Sequence, residues 1–167
     1  MDKNIYLDHN ATSPLLPEAQ TAMSDVAEKS LGNPSSPHWA GREAKILLEE
    51  ARDSLAKSLG AEPREIIFTS GGSESNNAVL RQLSTASGKQ HLITSTIEHP
   101  SVLETCRILA KQPNIGLTEL LVDSSGLIDP ESLIKNINPQ TSLISLMTAN
   151  NETGCLQPLE ELSQIAR

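Results

Sequence analysis

Aromatic side chains are scarce in this chain, which has one Trp, one Tyr and one Phe among its 167 residues. The core must therefore be built from Leu, Ile, Val and Ala. Long apolar runs are also missing, since none approaches the ~18 to 20 residues that cross a bilayer. Basic residues are few, with 13 Lys and Arg against 21 Asp and Glu and a net charge of -8. These features argue against membrane and nucleic-acid partners, because phosphate backbones attract clustered Lys and Arg.

Cysteine is nearly absent as well. Cys106 and Cys155 have neither CxxC spacing nor paired histidines, so no metal site is expected. Cys106 falls in an apolar helical pattern and is interpreted as a packed small hydrophobe. The first residues, Met1-Asp2-Lys3-Asn4, lack the charged and apolar zones of a signal peptide, which favours a cytoplasmic location.

Strand and helix patterns alternate along the chain. Helical spacing with matching start and stop signals predicts six helices, at about residues 18–30, 42–59, 73–83, 100–110, 130–137 and 158–165. Short apolar runs predict strands at 66–69, 92–95, 115–122 and 143–147. The runs do not alternate with polar residues, as is typical of a sheet covered on both faces. The sequence therefore predicts an α/β fold with a mostly parallel sheet and flanking helices.

Three polar clusters each follow a predicted strand directly: Ser70–Ser75, Glu98-His99 and Asn150–Glu152. Ligands of open α/β sheets bind beyond the carboxyl ends of the strands, so we expect these clusters to share one rim. Gly71-Gly72 opens a helix, where unsatisfied N–H groups and the helix dipole attract a phosphate. A plain strand-to-helix turn is the alternative for that pair.

Five motifs, in this order, resemble those of the cysteine desulfurases, which are pyridoxal-phosphate (PLP) enzymes of the class V aminotransferase group. They are Tyr6–Thr12, Gly32–Ser36 with His38 and Gly41, Phe68–Ser75, Glu98-His99 and Asn150–Gly154. The resemblance implies part of the large domain of an aspartate aminotransferase-like PLP-dependent transferase. Residues 1–40 would form an N-terminal arm, helix and loop, and residues 41–167 an incomplete α/β cofactor-binding domain.

The resemblance also implies roles for single residues. Gly72 and Ser73 match the pair that binds the cofactor phosphate, with serine in place of the commoner threonine. His99 matches the histidine that stacks on the pyridine ring and assists proton transfer; a surface histidine capping the next helix is the alternative. Asn151 matches the asparagine that hydrogen-bonds the phenolic oxygen, although it would also suit an ordinary Asx turn.

Neighbouring residues receive supporting roles. Glu152 is expected to hold its loop by accepting backbone N–H bonds. Glu74 and Ser75 are expected to steady their helix rather than contact a ligand.

The family's Schiff-base lysine directly follows a histidine, and none of the four histidines here precedes a lysine. The cysteine that accepts sulfur is also missing, because Cys155 does not match its place. The chain therefore resembles the N-terminal part of a desulfurase and is expected to be inactive alone.

For the complete protein, the resemblance implies conversion of L-cysteine to L-alanine. The sulfur would pass as a persulfide to iron–sulfur cluster or thiocofactor assembly. A homodimer and a sulfur-acceptor or scaffold protein are the implied partners. Two alternatives stay open: another class V PLP enzyme such as a selenocysteine lyase or aminotransferase, and a non-catalytic module that binds a phosphorylated ligand or a partner.

Overall fold

The computed structural model describes residues 4–29 and 32–167. The chain divides into two compact units, of which the first ends at Phe68 and the second comprises Thr69–Arg167. The predicted end of the first helix at Ser30 and the start of the following loop at Leu31 lie outside the described residues. A domain boundary near residue 40 stays a prediction.

Two helices dominate the first unit, α1 (Pro17–Lys29) and α2 (Trp39–Leu59). The His38 ring caps the start of α2 by accepting a hydrogen bond from the Gly41 N–H at 3.4 Å. Gly60 ends the helix with a φ of 66°, a left-handed conformation that favours glycine. The prediction that Gly60 stops this helix is confirmed.

The predicted strand at residues 66–69 is wrong. These residues have no regular secondary structure, and Ile67 is 81 % exposed. An apolar β-branched run becomes a strand only beside a partner strand, and no segment among residues 4–29 and 32–167 pairs with this one. Arg52 instead donates to the Ile66 carbonyl and places its guanidinium 5.0 Å from the centre of the Phe68 ring.

The second unit contains a three-stranded parallel sheet of β1 (Gln90–Ser95), β2 (Ile115–Leu120) and β3 (Thr141–Ile144), in the order β2-β1-β3. Its helices are α3 (Gly72–Leu80), α4 (Pro100–Leu109), α5 (Pro130–Asn136) and α6 (Leu159–Ile165). A short 3₁₀ turn at Arg81–Thr85 follows α3, where the helix had been predicted to continue. β3 ends at Ile144 rather than at Met147.

Successive residues of β1 face opposite sides of the sheet, and each side has its own core. Leu92 belongs to a cluster supplied by α3, α4 and the strands, which includes Leu80, Leu83, Val102, Cys106, Leu109 and Ile115. Ile93 belongs to a second cluster, which includes Leu120, Ile128, Leu133 of α5 and Leu162 of α6. The predicted parallel sheet, covered on both faces, is thereby confirmed.

His91 joins all three strands at the end of the sheet where β1 begins. Its Nδ1 lies 2.8 Å from Thr141 Oγ1 and 3.0 Å from Asn138 Nδ2, and its Nε2 lies 2.9 Å from Thr118 Oγ1. Asn138 Oδ1 accepts the Gln140 N–H, so its Nδ2 is the group that faces the ring. Nδ1 is therefore an acceptor, and the neutral ring donates from Nε2. Burial lowers the pKa of His91, which is 8 % exposed.

This geometry predicts a loss of stability in acid. Because the pKa of His91 is lower in the folded chain than in the unfolded one, its contribution is complete above the ordinary histidine value of about 6.5 and is lost as the pH falls. The free energy of unfolding should fall by at most about 1.4 kcal/mol per pH unit there. His91→Gln should flatten this slope in denaturant titrations, whereas His9→Gln, at an exposed histidine, should keep it. Equal slopes in the chain and in His91→Gln would contradict the assignment.

Candidate functional site

The start of α3 presents backbone N–H groups without a side-chain cap. Among the described helices, α2, α4 and α5 are capped by His38, His99 and Asp129, but Gly71 precedes α3 and offers no side-chain acceptor. Gly72 and Ser73 are the first two residues of α3, and both are exposed. A Cβ built on Gly72 would meet no atom within 4 Å. The first turn of α3 therefore opens to solvent with donors suited to an anion.

The turn before α3 is held by the side chains predicted to steady it. Glu74 Oε2 accepts from the backbone N–H and from Oγ of Ser70, both at 2.6 Å. The bond from the Ser70 hydroxyl, and to a smaller extent the bond from the Ser70 backbone N–H, hold the pKa of Glu74 below its usual value. The carboxylate therefore stays ionised. Ser75 Oγ lies 2.7 Å from Thr69 Oγ1. The supporting role predicted for Glu74 and Ser75 is confirmed.

His99 precedes α4 and caps it. Nδ1 accepts from the Ser101 backbone N–H at 3.1 Å and lies 2.8 Å from Ser101 Oγ. Because a nitrogen that accepts a backbone N–H carries no proton, the neutral ring is protonated at Nε2. The ring is exposed, and capping engages only its Nδ1 edge. The capping role that the sequence offered as the alternative is thus present, and the residue stays exposed to solvent.

A hydrogen bond joins the middle of α3 to the start of α4. Asn76 Nδ2 donates to Ser101 Oγ at 2.9 Å, the same hydroxyl that lies against His99. One turn further along α4, Thr105 Oγ1 lies 3.2 Å from Asn77 Oδ1 and 2.9 Å from the Ser101 carbonyl. The helix that begins with Gly72 and the residue His99 therefore belong to one connected arrangement.

Asn151 lies in an exposed turn beyond β3, and its Nδ2 donates to Glu152 Oε1 at 3.0 Å. The expectation that Glu152 accepts the backbone bonds of this turn is wrong. Asn150 does so: its Oδ1 accepts from the N–H groups of Glu152 and Thr153 at 3.0 and 2.9 Å. The reason is burial, because Asn150 is 7 % exposed and faces inward while Glu152 faces solvent.

Glu98 is a residue whose role the sequence did not reveal. Its side chain is 8 % exposed, and Oε1 accepts from the Met147 N–H at 2.7 Å and from Ser95 Oγ at 3.0 Å. Burial raises the pKa of this carboxyl, and the two hydrogen bonds oppose that rise. A carboxylate directly after an apolar strand was the signal that could have identified it.

The loop Asn33–Ser36 in the first unit is a local turn. Asn33 Oδ1 accepts the Ser35 N–H at 2.9 Å, and the Ser36 N–H donates to the Asn33 carbonyl at 2.9 Å. These bonds account for the asparagine without a ligand.

The two cysteines differ in environment. Burial raises the pKa of the Cys106 thiol to about 11, and the side chain packs in the core, which confirms its interpretation as a small hydrophobe. Cys155 is half-buried, with Sγ 3.9 Å from Gln157 Nε2. Across residues 4–29 and 32–167, no group of three or more His, Cys, Asp or Glu could hold a metal ion. Within the same residues, every helix is too short or too polar to span a membrane.

We call residues 96–99 the His99 turn and residues 147–154 the Asn151 turn. Asn76 and Ser101 link α3 to the His99 turn, and Glu98 and Asn150 link the His99 turn to the Asn151 turn. That Gly72, Ser73, His99 and Asn151 grip one ligand stays a prediction.

Comparison with known proteins agrees with the resemblance. The model of the family "Aminotransferase class-V" matches residues 5–167. The cysteine desulfurase IscS of Dictyoglomus turgidum is 47 % identical over 170 residues, which cover 100 % of this chain and 43 % of that protein. The selenocysteine lyase of Homo sapiens is 39 % identical over 183 residues, covering 98 % and 41 %. A solved NifS-like protein superposes with a TM-score of 0.90 at 37 % identity, covering 98 % of this chain and 45 % of that one.

This chain therefore spans less than half the length of the curated relatives that it matches. Since the family model covers all but its first few residues, the chain belongs to the class-V aminotransferases, and its resemblance to the cysteine desulfurases within that family is confirmed.

Proposed function

We propose that this chain is the cofactor-holding part of a PLP-dependent cysteine desulfurase. The observation that carries the proposal is the row of hydrogen bonds that ties α3, the His99 turn and the Asn151 turn together. In the whole protein, the C–S bond of L-cysteine breaks and its sulfur joins a cysteine thiol outside these residues. A C–H bond replaces the C–S bond and gives L-alanine, while an S–S bond forms to the enzyme thiol and gives a persulfide. The proton lost by the thiol balances the one gained by alanine, and the carbon is reduced as the sulfur is oxidised.

The residues of this chain bind and orient the cofactor. The N–H groups of Gly72 and Ser73 and the Ser73 hydroxyl would hold its phosphate, assisted by the positive end of α3. His99 would stack on its ring and would carry a proton at Nε2, the edge not used in capping. Asn151 would donate a hydrogen bond to its phenolic oxygen. When bound, PLP supplies an electron sink for bond breaking at the substrate carbon.

The other groups that the reaction needs are assigned to the part of the protein beyond this chain. They are the Schiff-base lysine, the acid that keeps the ring nitrogen protonated, and the thiol that accepts sulfur. A homodimer, a sulfur-acceptor or scaffold protein serving iron–sulfur or thiocofactor assembly, and a cytoplasmic location belong to the same proposal.

A selenocysteine lyase is the second candidate. The 39 % identity with the human lyase supports it, because the residues discussed here bind the cofactor and do not touch the sulfur or selenium atom. Turnover of the full-length protein with L-cysteine and with L-selenocysteine, measured side by side, separates the two. Activity on L-selenocysteine alone would favour the lyase.

Ser73→Ala tests the phosphate assignment. The change should weaken binding of PLP by about 1 to 3 kcal/mol, the value of a charge-assisted hydrogen bond. It should leave binding of pyridoxal, which lacks the phosphate, unchanged. Dissociation constants for both ligands, measured by fluorescence titration of the full-length protein, check this. Ser87→Ala, at an exposed turn serine, is the matched control; equal losses for both ligands would contradict the phosphate role.

His99→Asn and His99→Ala separate capping from stacking. Asparagine is a good helix cap, so His99→Asn should keep the stability of the chain, whereas His99→Ala should lose about 1 kcal/mol. Neither variant has an aromatic ring, so both should weaken PLP and pyridoxal alike by about 0.5 to 1.5 kcal/mol. Thermal melts and the same titrations provide the readout. Wild-type affinity in His99→Asn would remove His99 from the cofactor site.

Borohydride reduction tests where the Schiff-base lysine lies. After the 167-residue chain is mixed with PLP and reduced, we expect only scattered, substoichiometric labelling of its lysines. Peptide mass spectrometry measures this directly. One stoichiometric adduct at one lysine would show that the chain contains the Schiff-base residue after all.

A further inference from the structure

Two hydrogen bonds cross between the His99 turn and the Asn151 turn in opposite directions. Glu98 Oε1 accepts the Met147 backbone N–H at 2.7 Å. Asn150 Nδ2 donates to the Ile97 backbone carbonyl at 3.0 Å. Each turn thus sends one side chain to the backbone of the other. We call this pair of bonds the crossed clamp.

Because Glu98 is buried, its carboxylate depends on the hydrogen bonds of the clamp. A carboxylate removed from water is costly unless it is hydrogen-bonded, and Glu98 is 8 % exposed. Both of its recorded donors, the Met147 N–H and Ser95 Oγ, bind the same oxygen, Oε1. Leaving these donors would leave a buried carboxylate unpaired, so Glu98 holds the Met147 backbone beside the end of β1.

Asn150 combines two tasks. Its Oδ1 accepts hydrogen bonds from the backbone N–H groups of Glu152 and Thr153 and thereby fixes the conformation of the turn that contains Asn151. Its Nδ2 fastens that turn to the Ile97 carbonyl. Asn150 therefore joins the turn that carries Asn151 directly to the backbone of the His99 turn.

In each turn, a buried residue of the clamp is followed directly by an exposed residue. Glu98 is buried and His99 is exposed; Asn150 is buried and Asn151 is exposed. In each turn, an inward side chain binds the other turn while the next side chain faces outward. The clamp thus acts directly on the backbone that bears the two outward residues.

We propose that Glu98 and Asn150 are positioning residues whose crossed clamp fixes the separation and orientation of His99 and Asn151. The proposal rests on the proposed function in one respect, that His99 and Asn151 contact the same cofactor. Groups that hold a ring at two points must be kept within a fraction of an ångström, and supporting residues with their own hydrogen bonds do this.

Three variants dissect the clamp. Glu98→Ala removes the acceptor for Met147, whereas Glu98→Gln keeps Oε1 and with it both bonds. Asn150→Asp keeps the oxygen that shapes its own turn but loses the donor to the Ile97 carbonyl, together with the weak contact of Nδ2 with Met147 Sδ at 3.5 Å. Leu83→Ala, in the core cluster that also contains Leu92 of β1, is a control that lowers stability without touching either turn.

Two readouts are taken on the full-length protein. Hydrogen exchange at the Met147 amide reports on the Glu98 bond. NMR signals of the His99 ring nitrogens and the Asn151 side-chain amide report on the outward residues, and titration gives the dissociation constant for PLP.

Glu98→Ala and Asn150→Asp should each shift the His99 and Asn151 signals together and weaken PLP binding on the order of 10-fold. Glu98→Ala should also speed exchange at Met147. Glu98→Gln should keep the His99 and Asn151 signals, the PLP affinity and the Met147 exchange rate close to their wild-type values. Leu83→Ala should change only the melting temperature, which should fall.

The outcomes separate the two proposals. If Glu98→Ala frees the Met147 amide but its His99 and Asn151 signals and PLP affinity match those of Leu83→Ala, the positioning role is overturned while the proposed function stands. If the wild-type protein does not bind PLP, the proposed function fails. The paired shifts of His99 and Asn151 still decide whether the clamp positions them.

Discussion

The arrangement of the candidate site depends on the buried carboxylate of Glu98 and its bond to the Met147 N–H. Parallel strands end on the same side of a sheet, but the loops that follow them have no reason of their own to stay in register. A buried acceptor at the end of β1 gives the chain beyond β3 a fixed place. Asn150 donates a hydrogen bond in the opposite direction, to the Ile97 carbonyl. The exposed His99 and Asn151 are positioned by these two buried neighbours.

β1 is the strand around which the second unit is built. It lies between β2 and β3, each of its faces belongs to a separate apolar core, and polar side chains bind its neighbours at both ends. His91 joins the three strands where they begin, and Glu98 joins the turns where they end. The core of Leu, Ile and Val supplies the stability, while these few buried polar groups select one register among those that would bury the same apolar residues.

Sequence patterns predicted the features that depend on local chemistry. Gly60 as a helix stop, Cys106 as a packed thiol and the parallel sheet all follow from spacing, side-chain size and periodicity. The predicted strand at 66–69 failed because a strand is a property of two segments, and the described part of the chain pairs nothing with it. The roles of Glu98 and Asn150 were missed for a related reason. Their partners lie about 50 residues away, and within the recognisable motifs the cofactor roles fell on the adjacent residues His99 and Asn151.

The alternation of Glu98 and His99 has a consequence for how this protein can evolve. Inserting or deleting one residue between Ser95 and His99 would move the Glu98 carboxylate away from the Met147 N–H and would leave that amide without its acceptor. The length of the turn between β1 and α4 is therefore constrained by a residue 49 positions further along the chain.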